Sequence, residues 1–142
     1  MSGATIVQVN ANDVLYGRNG TLPTVGASAP FTLWAMSLKP ENKGTLLWMT
    51  NINAPPGNQT LFLGPVDFTN RVFTIAYKET MVWYGYNLDT GAQLWGPTAP
   101  ENPWSYYDYQ QSATGFPKIA YDKLYICGYD GICYASDVNN GS

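Results

Sequence analysis

Few side chains in this chain can do chemistry, and none of them is a histidine. The two cysteines, Cys127 and Cys133, flank a stretch that contains Asp130-Gly131. Asp-Gly between two apolar runs is a strong hairpin signal. A turn centred on Asp130 sets Cys127 and Cys133 opposite each other on adjacent strands. Facing β-carbons lie about 4.5–5.5 Å apart, whereas a disulfide needs about 3.5–4.5 Å. Two free thiols packed between neighbouring units are therefore the expectation, and a Cys127–Cys133 disulfide is the alternative. With no other Cys and no His, the pair makes no metal site.

A second candidate is the aromatic and acidic stretch of Glu101, Trp104, Tyr106, Tyr107, Asp108 and Tyr109. Tyr and Trp give large contact area and dominate binding hot spots. Their flat faces also suit sugars, so a protein or glycan ligand is one reading of this stretch, and the one to choose if any segment binds a partner. The expectation is a structural cover over its own blade or the central channel, stiffened by Pro97, Pro100 and Pro103. The stretch has no basic residue, which argues against a membrane role. Asn19, Asn58 and Asn140 each begin an Asn-X-Ser/Thr sequon. All three are expected in loops or turns, where a glycan can be attached.

Other chemistry has no support. The acidic residues Asp89, Asp130 and Asp137 fall in turn positions, and no acid–base pair converges. There is no nucleophile elbow, phosphate loop or calcium-loop spacing. Charged residues are 12% of the chain, with 7 basic against 10 acidic and a net charge of −3. That balance has the wrong sign for neutralising phosphates, so nucleic acid is not an expected partner. No apolar run approaches the length of a membrane span. Low charge and the sequons point towards an extracellular or cell-surface protein.

These residues must be positioned by strands. Aromatics make up 15% of the chain, with 11 Tyr and 5 Trp, and Gly and Pro number 14 and 10. Strand formers with abundant turn residues indicate an all-β chain. One phrase recurs. Its clearest copy runs from Gly85 through Asn87-Leu88-Asp89-Thr90-Gly91 to Trp95. A looser copy runs from Ala35 to Trp48, with extra residues in its turn at 39–44. A third begins at Ala135 and reaches Gly141 without a tryptophan. Ala35, Gly85 and Ala135 recur at a spacing of 50 positions. A fixed period of this size marks a repeat architecture.

Upstream, Asp13-Val14-Leu15-Tyr16, Asn70-Arg71-Val72-Phe73 and Asp122-Lys123-Leu124-Tyr125 align as polar turn plus strand. Before each lies a further short strand, at 5–9, 62–66 and 118–120. Each unit then reads as four short antiparallel strands, which is the blade of a β-propeller. The expected units are 4–60, 61–115 with the long aromatic exit loop, and 116–142 lacking its last strand. Under three blades make an incomplete ring, so the chain is expected to be a piece of a longer protein. Its open edges are expected to meet neighbouring blades or a second copy, as a homo-oligomer.

The phrase ending in Leu94-Trp95, with small Gly85 before it, resembles the tryptophan-docking motif of PQQ-type (quinoprotein-like) β-propeller repeats. The strand–Asp130-Gly131–strand core of the third unit is similar to the same family. The resemblance covers nearly the whole chain. It implies that Trp48 and Trp95 dock between adjacent blades, with Ala35, Gly85 and Ala135 kept small to admit a neighbour. It also implies a test for enzymatic function. Quinoprotein dehydrogenases of this kind carry adjacent cysteines, an acidic base and calcium ligands, and hold PQQ with calcium. Here Cys127 and Cys133 are six positions apart. The expectation is a non-catalytic binding or scaffold module without cofactor. A fragment of a PQQ-dependent dehydrogenase and a self-assembling ring module are the alternatives.

Overall fold

The computed structural model describes residues 3–26, 29–53, 57, 59–100, 117–127 and 131–142. Among them the regular elements are strands and one 3-10 turn, Pro40–Asn42. The chain is all-β. Strands β1 (Ala4–Asn10), β2 (Val14–Asn19), β3 (Phe31–Ser37) and β4 (Leu46–Ile52) form the first antiparallel sheet in sequence order. Strands β5 (Leu61–Asp67), β6 (Val72–Tyr77), β7 (Val82–Asn87) and β8 (Gln93–Trp95) form the second. Strands β9 (Lys118–Ala120), β10 (Lys123–Cys127) and β11 (Cys133–Asp137) form a third, three-stranded sheet. The strands differ from expectation by a residue or two at their ends. Asn51 and Ile52, expected in the connecting loop, belong to β4.

The sheets lie against one another face to face. Residues paired across antiparallel strands share a face. In the first sheet the row Gln8–Tyr16–Ala35–Trp48 therefore points one way. Tyr16 and Trp48 meet Phe73 of the second sheet at ring separations of 4.8 and 5.6 Å. Phe73 in turn stacks on Tyr86 at 5.2 Å. Val14, Leu33 and Ala35 from one side and Leu61, Ile75 and Leu88 from the other complete this core. The second and third sheets meet through Phe62, Ala76, Trp83 and Trp95 against Leu124 and Ile126.

One alignment made from the residues shifts by a position. The amides of Leu38, Leu88 and Val138 donate to the carbonyls of Asp13, Arg71 and Asp122. Arg71, rather than Asn70, is thus the counterpart of Asp13 and Asp122. The pairing of Thr74 with Gly85 makes Thr74 the counterpart of Tyr16, which pairs with Ala35. A one-residue slip in a strand exchanges its two faces. The middle sheet is apolar on both faces, so the hydrophobic pattern could not reveal the slip: Val72, Phe73, Ile75 and Ala76 are all buried.

The Tyr16 hydroxyl is buried and has no hydrogen-bond partner among the described residues. Burial, and then the neighbouring Tyr86, push its pKa up, so it stays neutral. An unsatisfied buried hydroxyl costs about 1–3 kcal/mol. Tyr16→Phe is expected to raise stability by about that amount. Urea unfolding followed by tryptophan fluorescence checks this; a lower midpoint would contradict it.

Candidate functional site

The two interfaces between sheets repeat one arrangement. Trp48, at the outer strand of the first sheet, donates from Nε1 to the Leu88 carbonyl at 2.7 Å. Trp95, at the outer strand of the second, donates to the Val138 carbonyl, also at 2.7 Å. Each indole lies against a glycine in the receiving turn. A β-carbon on Gly91 would stand 2.6 Å from the Trp48 ring, and one on Gly141 would stand 2.6 Å from Trp95. Both glycines have positive φ, at +72° and +76°, a conformation that L side chains disfavour. The seat is therefore built from a bare backbone, one free carbonyl and a buried apolar residue, Leu88 or Val138.

Local sequence explains the turns. The Asn87 side-chain oxygen accepts from the amides of Asp89 and Thr90, and that of Asp137 accepts from Asn139. Asn and Asp favour such turns because their side chains cap the following amides. The amides of Gly91 and Gly141 close them onto the carbonyls of Asn87 and Asp137. Arg71 links the turns, pairing with Asp13 of the first sheet and Asp89 of the second at 2.5 Å each. The hydrogen bond from Arg71, with its charge, holds the Asp89 carboxyl below its ordinary range.

Of the residues singled out from sequence, Ala35 faces Trp48 and Gly85 faces Trp95 across paired strands. A β-carbon on Gly85 would be 2.1 Å from the Trp95 ring. Ala135 is the counterpart in the third sheet and is exposed on the edge strand β11. The residues of the receiving seat, Leu88, Gly91, Val138 and Gly141, were missed from sequence. Their signal was present: an apolar residue three positions before a glycine, at corresponding points of two repeats. The first sheet closes its longer turn in the corresponding way, since Gly44 donates to the Ser37 carbonyl at 2.8 Å and has φ +87°. No atom lies within 4 Å of a β-carbon built on Gly44. This seat, beside Leu38, is unfilled among the described residues.

Cys127 and Cys133 pair directly across β10 and β11 and are joined by a disulfide. The expected packing of free thiols gives way because this cross-strand pair is a close one, with Cα atoms 4.2 Å apart. A loop this short gives a disulfide roughly 2 kcal/mol of stabilisation. Replacing both cysteines with Ala is expected to lower stability by about that amount. Amide exchange should place the loss in β10 and β11, and equal loss in the first sheet would contradict a local clamp.

Asn19 is not in a loop. It ends β2, and its side-chain oxygen accepts from Trp34 Nε1 at 3.1 Å. Asn140 lies in an exposed turn, where its side-chain oxygen accepts from the Ser142 amide. Asn58 and the aromatic stretch with Glu101, Trp104, Tyr106, Tyr107, Asp108 and Tyr109 lie outside the described residues. Among the described residues no three metal-ligating side chains of the His, Cys, Asp and Glu types cluster. Among the described residues no helix is long and apolar enough to cross a membrane. Compared with known proteins, the chain matches no family model and no curated protein.

Proposed function

We propose that this chain is a non-catalytic segment of a quinoprotein-like β-propeller, serving as a scaffold or binding module. The observation that carries the reading is the repeated docking of Trp48 and Trp95 into corresponding seats of the next sheet. Two successive interfaces built alike are what a repeated blade requires, because each unit contacts its neighbours in one fixed way. The chemistry of the site agrees. Both indoles are buried and hydrogen-bonded, so they hold sheets together and face no substrate. Asp89 and Asp137 are engaged by Arg71 and Lys123, which removes them as free acids or bases. The disulfide adds support for an extracellular or cell-surface setting, where such bonds persist.

The test is titration of the chain with PQQ and calcium by calorimetry and by absorbance of the quinone. No saturable binding is expected. Saturable binding together with alcohol-dependent dye reduction would overturn the reading in favour of a dehydrogenase segment.

A further inference from the structure

The two ends of the sheet stack differ in chemistry. The outward face of the first sheet consists of the rows Ile6–Gly17–Trp34–Met49 and Val9–Leu15–Met36–Leu46. Ile6, Val9, Leu46 and Met49 are 59%, 51%, 44% and 45% exposed. Trp34 lies over Gly17, where a β-carbon would stand 2.3 Å from its ring, and is itself buried at 4% exposure, so the exposed apolar residues flank it on β1 and β4. The next row, Ala4–Asn19–Thr32–Asn51, is small or neutral. None of these three rows contains a charged residue. The outward face of the third sheet carries Lys118 beside Tyr125 and Ala135, and Ala120 beside Lys123 and Asp137.

We infer that the outward face of the first sheet is an interaction surface and that its occupant is a second copy of the same face. Several exposed apolar residues gathered on one sheet face mark an association site. Head-to-tail stacking would press Lys118, Lys123 and Asp137 onto Ile6, Val9 and Met49, and burying charge against apolar surface is costly. Pairing two first sheets back to back buries apolar on apolar with no like charges opposed. It is self-complementary about a twofold axis, the commonest symmetry of soluble oligomers. It leaves the charged outward faces of the two third sheets away from the contact. Two sheets packed face to face in near alignment are the ordinary geometry for such a contact.

The pairing does not call on the seat at Leu38 and Gly44. Trp48 and Trp95 of a second copy are already seated in their own chain. This inference rests on the chemistry of the faces, not on the propeller reading, and the two tests fail independently.

Sedimentation velocity across a dilution series of the whole chain reads the outcome. The expected result is a single dimer that dissociates on dilution. Met49→Lys and Ile6→Lys should each raise the dissociation constant about 100-fold, because a twofold contact places each new charge opposite the same face twice. Both sites are exposed in the monomer, and unchanged circular dichroism would show that folding is retained. Ala135→Lys on the third sheet and Leu94→Lys on the second should leave the dimer intact. A monomer at every concentration would overturn the inference. So would oligomers that keep growing, or a dimer broken by Ala135→Lys, since both indicate head-to-tail contact.

Discussion

Replacing Trp95 with Ala is expected to uncouple the third sheet from the second. Trp95 fills the center of that interface, beside Phe62, Ala76, Trp83, Leu124 and Ile126. Its truncation removes a large apolar side chain and leaves a cavity, at about 3–5 kcal/mol. It also strips the Val138 carbonyl of the indole donor at 2.7 Å. Whole domains are stable by about 5–15 kcal/mol, so the loss is a large share of the total. Among the described residues the third sheet has three strands, and it has its own Cys127–Cys133 clamp. It should therefore open as a unit, while the first two sheets keep their Trp48–Phe73–Tyr86 stack. Hydrogen exchange reads this directly. Amides of β9, β10 and β11 should exchange far faster than those of β2 and β6. Equal protection in all three sheets would mean that Trp95 does not hold this interface.

Gly85→Val is expected to be nearly as damaging, for the opposite physical reason. Valine favours strands and glycine weakens them, so propensity alone predicts a gain. The new β-carbon would stand 2.1 Å from the Trp95 ring, and the indole must leave its seat. Overpacking of this kind costs about 1–3 kcal/mol, and losing the Val138 hydrogen bond adds to it. The effect should vanish in a Trp95→Ala background, because the ring that clashes is gone. Neighbouring sites that share one contact are non-additive. Urea unfolding of the four proteins in this cycle gives the coupling energy. Strict additivity would show that Gly85 is constrained by something other than Trp95. Ala35 marks the contrast, since its β-carbon is accommodated beside Trp48 in the equivalent pair.

The back-to-back pairing of first sheets and the docking of Trp48 and Trp95 use different surfaces of the same stack. Substitutions at Met49 or Ile6 should change assembly without moving the seated indoles. Substitutions at Trp95 or Gly85 should loosen the third sheet and leave the outward face of the first sheet unchanged. The four positions thus separate assembly from internal stability.

The all-β character, the recurrence of Ala35, Gly85 and Ala135, and the pairing of Cys127 with Cys133 were legible in the chain itself. Each follows from local rules: side chains alternate along a strand, turns demand Gly, Asn and Asp, and an Asp-Gly turn sets the register of its hairpin. Three things belonged to the tertiary structure alone. The slip that makes Arg71 the counterpart of Asp13 is invisible in sequence because both faces of the middle sheet are apolar. The bond between Cys127 and Cys133 depended on a backbone spacing that pairing by itself leaves open. The seats at Leu88–Gly91 and Val138–Gly141 exist only when one sheet lies on the next, since a carbonyl and a bare glycine become a site only when an indole reaches them from 40 or more positions away. Periodicity is a property of neighbours along the chain, whereas docking is a property of faces, and only folding brings the faces together.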